Sequence, residues 1–297
     1  MPIPETQLDT WSNQGSKTQS QTTYATVKSA LEDKGASYND KSYASFLQGS
    51  YGNDTNIYAD SDVDVVMRLD STFYYDIDGL QMLEKIAFDH AHPGNAAYGY
   101  NEFRAQVVQQ LQTKFGNDVK PGKKAIFIKG NGNRRDADVL VCVKFRHYVK
   151  FVSASDKLAL EGICFFVVGD GRIVNYPELH SDNCTAKHQS TNGYFKPTVR
   201  IMKNMRNNMI SKGLLQDGVA PSYFIEGLFY NVPDDRFGTD YGNTFVNCIK
   251  YIQGADRTKF MCANSVHNLL GTGPVNWRTE NCDRYISAAI DHWNNWT

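Results

Sequence analysis

The chain has 297 residues, and its 31 Lys and Arg residues nearly balance its 32 Asp and Glu residues, giving a formal net charge of -1. This balance leaves no basic excess for binding a polynucleotide backbone, which argues against a general DNA- or RNA-binding protein. The 41% content of apolar residues is typical of a globular chain. We find no apolar run of the ~20 residues that cross a bilayer and no secretory signal pattern at the start. We therefore expect a soluble, cytoplasmic protein without membrane contact.

Six cysteines are scattered along the chain without a CxxC pair, which indicates reduced thiols rather than a disulfide framework. His180, Cys184 and His188 recur at every fourth position and are residue types that ligate zinc. They lie in a polar stretch with no fourth ligand nearby and no helical apolar pattern. We therefore do not expect a metal site there.

The first elements along the chain are helices followed by a strand. Residues before about 20 are polar and predict a frayed N-terminus. A helix is predicted over residues 20–34, and a second, short helix over residues 39–46. The β-branched, apolar run at residues 63–69 predicts a buried strand.

The middle of the chain predicts a helix packed on a sheet. Residues 101–115 carry an apolar stripe at every fourth position, namely Phe103, Val107, Leu111 and Phe115. Strands are predicted over residues 124–129 and 137–145, and residues 163–168 and 172–174 predict a hairpin around a Gly-Asp-Gly turn.

The remaining segments predict a mainly helical part, with helices over residues 195–212, 222–230, 244–252 and 278–296. The change in character after Tyr176-Pro177 predicts two domains. These are a mixed α/β part with an N-terminal helix, residues 1–175, and a C-terminal helical domain, residues 176–297.

Two acidic residues stand at the start of the strand predicted for residues 63–69. Asp62 and Asp64 occupy alternate positions, so both carboxylates point to one face while Val63 and Val65 point into the core. Two like charges side by side repel each other, and Mg²⁺, which prefers hard oxygen ligands, removes that cost. An acidic pair at a strand start is by itself also compatible with a solvated strand end.

Upstream of this pair, Gly49 and Ser50 form a Gly-Ser turn. Its backbone N–H groups and hydroxyl suit a phosphate if the intervening loop folds back. Together, the turn and the acidic pair resemble the signature of the polymerase-β-like nucleotidyltransferases. That family needs a third carboxylate on a neighbouring strand, which Asp138 supplies; Asp136, two residues nearer the loop, is the alternative.

The order of the elements narrows this resemblance. It is similar to that of the bacterial cyclic-oligonucleotide synthases related to cyclic GMP–AMP synthase and oligoadenylate synthase (cGAS/DncV-like nucleotidyltransferases, or CD-NTases). Residues 194–206 and 221–226 are similar to that family's helical stretches. The resemblance covers about residues 20–290 and implies an α+β fold, a mixed nucleotidyltransferase sheet with flanking helices and a C-terminal helical lobe. The chain lacks a Cys/His zinc insertion, so the DNA sensing of the animal relative is not implied.

The resemblance also implies a reaction. Asp62, Asp64 and Asp138 would hold two Mg²⁺ ions, which activate a ribose hydroxyl and neutralise charge on the phosphates. The substrates would be nucleoside triphosphates, ATP or GTP or both, joined with release of pyrophosphate into a cyclic di- or trinucleotide for anti-phage (CBASS) signalling. The regulatory protein partner, if the enzyme has one, is not identified by the sequence.

The nucleotide contacts implied by the resemblance are Gln48, Gly49, Ser50, Lys203, Ser222 and Tyr223. Lys203 would reach the donor triphosphate, although with Arg206 it also fits a solvated cationic helix edge. Ser222 would touch the triphosphate, although capping of a helix explains it equally well. Tyr223 would stack on the donor base, with a core tyrosine as the alternative.

Two other functions remain open at this point. The same fold also serves transferases that build linear oligonucleotides or add one nucleotide to RNA or protein. A non-catalytic nucleotide-binding protein is the alternative of another class, and the intact set of three carboxylates argues against it.

Overall fold

The computed structural model describes residues 1–15, 18–58, 62–167, 169 and 171–296. The helices in chain order are α1 (Glu5–Ser12), α2 (Thr18–Leu31), α3 (Gly49–Gly52), α4 (Met82–Ala91), α5 (Tyr100–Phe115), α6 (Pro177–Ser190), α7 (Phe195–Ser211), α8 (Ser222–Tyr230), α9 (Tyr241–Gly254) and α10 (Thr279–Asn294). None of these helices combines the length and the apolarity needed to cross a membrane, as far as the described residues go.

The chain forms two compact units. The sheet unit consists of the described residues of Thr18–Gln48 and Asp62–Pro177, and the helical unit consists of those of Met1–Lys17, Gly49–Ser61 and Glu178–Thr297. The segment that contains Gly49 and Ser50 thus packs with the helical unit. As a boundary between domains, the division at residues 175 and 176 stays a prediction.

A mixed sheet is the centre of the sheet unit. Its strands are β1 (Tyr43–Leu47), β2 (Val63–Asp76), β3 (Val119–Pro121), β4 (Ile126–Ile128), β5 (Ala137–Phe151), β6 (Lys157–Val167) and β7 (Gly171–Asn175). Their order is β1-β2-β5-β4-β3, and β6 pairs with both β5 and β7. Strands β2 and β5 are parallel, and the other pairs are antiparallel. Two parallel neighbours begin at the same edge, so the starts of β2 and β5 are brought together.

Helices α2 and α5 pack on the sheet. The stripe predicted for α5 is confirmed at Phe103, Val107 and Leu111, which are each fully buried, whereas the fourth predicted member, Phe115 at the end of the helix, is only half-buried. Helix α4, which the sequence did not predict, buries Phe88 in a cluster with Tyr148 of β5. The predicted strands at residues 63–69 and 137–145 are confirmed and extend further than predicted.

The helical unit has its own apolar core. Helices α6 to α10 contribute most of it, with Met202, Phe229 and Tyr285 among the buried side chains. The helices predicted after residue 195 are confirmed, and α8 has the predicted bounds.

Three predictions about local structure are wrong. The N-terminus is not frayed, because α1 buries Leu8 in the core of the helical unit. Residues predicted as the helix at 39–46 instead form strand β1, which pairs with β2 from Tyr43 opposite Leu69 to Leu47 opposite Val65. The backbone groups of β1 form hydrogen bonds with β2 in this pairing. A short isolated helix would be only marginally stable. Helix α6 also forms where no helix was expected, and it buries His180 and Cys184 one turn apart.

Candidate active site

The structure brings the predicted carboxylates of the sheet unit together at one edge. Asp64 and Asp138 are the second residues of β2 and β5, and they lie directly opposite each other in the parallel register. Asp62 and Asp136 lie two residues earlier in the sequence, each directly before the first residue of its strand. The backbone N–H of Val63 donates to the carbonyl oxygen of Asp136 at 3.0 Å, which extends the pairing to this edge.

The carboxyl group of Asp138 has a raised pKa. Partial burial raises its pKa above the ordinary value of 3.8, and the neighbouring charges of Asp62 and Asp136 raise the pKa further. Removing a carboxylate from water and placing it near like charges is unfavourable unless a cation is bound. The crowding of these oxygens therefore fits a hard divalent cation.

Asp136 differs from Asp138 in what its side chain does. Its Oδ1 accepts a hydrogen bond from the backbone N–H of Gly130 at 2.5 Å, which closes the turn before β5. A carboxylate committed to a turn is less available to a metal ion. Asp138 therefore stays the predicted third ligand, with Asp136 as the alternative.

Gln48 lies beside the strand that carries these residues. Its backbone N–H donates to the carbonyl oxygen of Asp64 at 2.9 Å. Its side-chain Oε1 is buried, and among the described residues it has no hydrogen-bond partner. A buried oxygen of this kind is costly unless a ligand or water supplies a donor. The side chains of Asp62, Asp64 and Asp138 offer only oxygen donors, which fits Mg²⁺.

The Gly-Ser turn lies in the helical unit. Gly49 has a φ of 68°, a left-handed conformation that favours glycine, and it begins the single turn α3. The N–H groups of Asn53 and Thr55 donate to the carbonyl oxygens of Gly49 and Ser50 at 3.0 and 2.9 Å. The turn is therefore tied to residues 53–55, which follow it.

Lys203 is fully buried, so its interpretation as a solvated cationic edge is wrong. Its Nζ donates to the carbonyl oxygen of Thr55 at 2.8 Å. The ammonium group is thus held against the segment that follows the Gly-Ser turn. A contact between Lys203 and the donor triphosphate stays a prediction.

Ser222 and Tyr223 open helix α8. The N-cap is Pro221 and no side chain caps this helix, so the alternative interpretation of Ser222 as an N-cap is wrong. Its Oγ instead accepts a hydrogen bond from Arg206 at 3.2 Å. Tyr223 stacks on His180 with ring centroids 4.7 Å apart and an angle of 22° between the planes.

The other end of Tyr223 is also fixed. Its hydroxyl accepts a hydrogen bond from the side-chain amide of Asn264 at 3.1 Å. Burial raises the pKa of the phenol far above its ordinary value of 10.0. The side chain is thus a neutral, well-held ring, which suits a stacking surface.

Glu226 is a residue of this region that sequence reasoning missed. It is 2% exposed, and its oxygens accept hydrogen bonds from His180 Nε2 at 2.6 Å, from Asn53 Nδ2 at 3.1 Å and from the hydroxyl of Thr55. Burial by itself raises the pKa of this carboxyl, but the hydrogen bonds from His180 and Thr55 outweigh it and hold the pKa below 4.5. The signal in the sequence was a single carboxylate in the otherwise apolar helix SYFIEGLFY.

The structure groups His180 and Cys184 with Glu226, and not with His188 as the sequence spacing would have it. Potential ligand atoms of His180, Cys184 and Glu226 all lie within 4.8 Å of one another, whereas His188 accepts a hydrogen bond from the N–H of Lys196. The oxygens of Glu226 are engaged by the donors named above, and structural zinc takes four ligands. We interpret His180 and Glu226 as a buried hydrogen-bonded pair with Cys184 beside it.

The mixed sheet, with carboxylates at the start of two parallel strands, defines a nucleotidyltransferase fold, and comparisons with known proteins agree. Residues 182–294 match the cGAS/DncV-like nucleotidyltransferase C-terminal helical domain. The chain is 38% identical over 302 residues to the cyclic UMP-AMP synthase of Rhodothermus marinus (strain SG0.5JP17-172), covering 100% of this chain and 99% of that protein. It is 34% identical to the cyclic nucleotide synthase CdnE01 of Staphylococcus haemolyticus, over 100% of both chains.

A solved structure agrees with these relatives. The Rhodothermus marinus CdnE c-UMP-AMP synthase, with Apcpp and Upnpp, gives a TM-score of 0.89 at 37% identity, covering 99% of this chain and 98% of that one. The chain belongs to the cGAS/DncV-like nucleotidyltransferase family. It is a nucleotidyltransferase of the cyclic nucleotide synthase class, and the expected α+β fold with a C-terminal helical domain is confirmed.

Proposed function

We propose that this enzyme joins nucleoside triphosphates into a cyclic di- or trinucleotide and releases pyrophosphate. The observation that carries the proposal is the pairing of Asp64 with Asp138 in parallel strands, with the charge of Asp62 acting on the same carboxyl. A chain that is 38% identical along its whole length is a cyclic UMP-AMP synthase, which supports ring closure over the formation of linear products.

Asp62, Asp64 and Asp138 are the proposed catalytic residues and ligands of two Mg²⁺ ions. Bound there, the ions would favour the ionised form of the attacking hydroxyl and neutralise charge on the donor phosphates. The carboxylates would hold the attacking hydroxyl and the donor phosphates in a fixed position relative to each other, because both strands belong to one sheet. Gln48, whose backbone N–H donates to the carbonyl oxygen of Asp64, is the proposed nucleotide contact of the sheet unit.

The proposed nucleotide contacts in the helical unit are Gly49, Ser50, Lys203, Ser222 and Tyr223. Gly49 and Ser50 offer their backbone N–H groups, and Ser50 also its hydroxyl, to the donor phosphates. Lys203 adds a positive charge next to the segment that follows this turn. Tyr223 offers a ring whose plane is fixed by His180. ATP is the expected first substrate. The second is GTP, or UTP, since the Rhodothermus marinus relative is a cyclic UMP-AMP synthase.

We further propose that the enzyme works in the cytoplasm and serves bacterial antiviral (CBASS) signalling. All six cysteines are free and buried, as expected in a reducing compartment. The signalling role follows from the resemblance to the bacterial cyclic-oligonucleotide synthases. With a net charge of -1, strong nucleic-acid binding is not expected.

The product identifies the reaction. The purified enzyme is incubated with all four ribonucleoside triphosphates and Mg²⁺, the mixture is treated with phosphatase, and the products are analysed by mass spectrometry. We expect a phosphatase-resistant cyclic oligonucleotide that disappears when ATP is omitted. Linear products ending in a phosphatase-sensitive triphosphate would indicate the linear alternative. Absence of any pyrophosphate release would favour the non-catalytic one.

A further inference from the structure

The helical unit contains a buried ionic cluster that the proposed reaction does not use directly. Glu226 of α8 lies at its centre, with both carboxylate oxygens engaged by donors from distant parts of the chain. A buried carboxylate is retained only where such donors replace its water shell. The cluster therefore fixes the elements that supply those donors.

Two of the donors belong to the segment after the Gly-Ser turn. Asn53 and Thr55 bind Glu226 through their side chains, and the carbonyl oxygen of Thr55 binds the ammonium of Lys203. The backbone N–H groups of the same two residues hold the carbonyl oxygens of Gly49 and Ser50. Any displacement of Glu226 is therefore passed on to the Gly-Ser turn.

The third donor is His180 of α6, and its ring has two contacts of different kinds. Its Nε2 carries the hydrogen, because the carboxylate of Glu226 can only accept. Its face stacks on the ring of Tyr223. His180 is 2% exposed, so the packing around it leaves the ring little freedom to rotate.

We propose that His180 is a positioning residue for the nucleotide, holding the Gly-Ser turn through Glu226 and the base-stacking ring of Tyr223 through its own face. This inference rests on the proposed function, in which Ser50 contacts the triphosphate and Tyr223 contacts the base. Nε2 of the imidazole supports the Gly-Ser turn, which contacts the phosphates (the phosphate end of the site). The face of the same ring supports Tyr223, which contacts the base (the base end).

Two substitutions separate these roles. His180→Phe keeps an aromatic face against Tyr223 but removes the donor to Glu226, whereas His180→Gln keeps an N–H at the reach of Nε2 but removes the ring. Inhibition of product formation by inorganic tripolyphosphate reports the phosphate end, and inhibition by adenosine reports the base end.

For His180→Phe we expect the inhibition constant of tripolyphosphate to rise about tenfold and that of adenosine to stay unchanged. For His180→Gln we expect the opposite, a rise of about fivefold for adenosine alone. Thr55→Val, which removes another donor to Glu226, should reproduce the effect of His180→Phe, and Thr55→Ser should restore the wild-type constant. These Thr55 variants test the phosphate end even if His180→Phe does not fold.

A purely structural role for His180 would lower the melting temperature and move both inhibition constants together, or neither, and either result overturns the inference. A wild-type enzyme that forms no product from triphosphates contradicts the proposed function instead. If instead the wild-type enzyme forms product while the two His180 variants fail to change different inhibition constants, that result contradicts only the role of His180.

Discussion

Gly49 adopts a φ of 68° at the start of the Gly-Ser turn. A Cβ in this left-handed conformation costs about 1 kcal/mol or more, so Gly49→Ala should shift the turn as well as destabilise it. We expect product formation to fall roughly tenfold to a hundredfold. Initial rates of pyrophosphate release measure this effect.

The matched control is Gly213→Ala. Gly213 has a φ of 69°, and a Cβ added to it meets nothing within 4 Å. This variant should lose a similar amount of stability, about 1 kcal/mol, without a change in rate. Equal rates for the two variants would argue against a role for the Gly-Ser turn in the reaction.

Glu226 predicts a dependence of stability on pH. Its pKa is held below 4.5 in the folded protein, so ionised Glu226 stabilises the fold above pH 4.5, and this contribution is lost as the pH falls below that value. Glu226→Gln should cost about 3 kcal/mol at pH 7, with the deficit shrinking below pH 4.5.

Urea unfolding of both proteins between pH 7 and about pH 4 measures this difference. The comparison with the variant isolates Glu226 from the other carboxyl groups that titrate in the same range. A difference in the free energy of unfolding that stays constant below pH 4.5 would mean that Glu226 is not the ionised acceptor described here.

Residues with a local signal could be predicted from the sequence. Asp62 and Asp64 are two positions apart at the start of the predicted strand, and the apolar run after Asp138 indicated a second strand. That these carboxylates lie close together follows from the parallel pairing of the two strands. The partners of Glu226 lie 171 and 173 positions away at Thr55 and Asn53. No local pattern encodes such a pairing, because it depends on how separate helices pack.

Among the elements, helix α5 buries the apolar face that its sequence pattern predicts. Leu111 is fully buried and Gln112 next to it is exposed. Leu111→Ala should lower the free energy of unfolding by about 2–5 kcal/mol because it leaves a cavity under the helix. Gln112→Ala should change it by less than about 0.5 kcal/mol. Urea denaturation of both variants checks the contrast, and similar values would contradict the packing of this face.

Elements without a periodic apolar pattern could not be predicted. Helix α6 buries His180 and Cys184, and the other residues of PELHSDNCTAKHQS are mostly polar, so its sequence gave no amphipathic signal. Strand β1 has five residues, too short for its period to exclude a helix. It forms because β2 offers it a partner, which is a tertiary effect.

At the scale of the whole molecule, folding and metal binding should be separable. Each unit has a large apolar core, and the proposed Mg²⁺ ligands lie at one sheet edge, so the cation is not needed for stability. We expect EDTA to abolish product formation and leave the melting temperature within about 2 °C, with Mg²⁺ restoring activity. A cooperative loss of structure in EDTA would contradict this separation.

The proposed reaction requires the carboxylates at the start of β2 and β5 to act as one catalytic set. The direct measurement is the rate of pyrophosphate release with ATP, GTP, UTP and Mg²⁺ for the wild type, Asp138→Asn and Asp136→Asn. An asparagine at position 136 can still accept the hydrogen bond from Gly130, so this variant is a matched control. We expect Asp138→Asn to lose about 100-fold or more in rate and Asp136→Asn to stay close to the wild type. A wild-type rate for Asp138→Asn would contradict the catalytic role of these carboxylates.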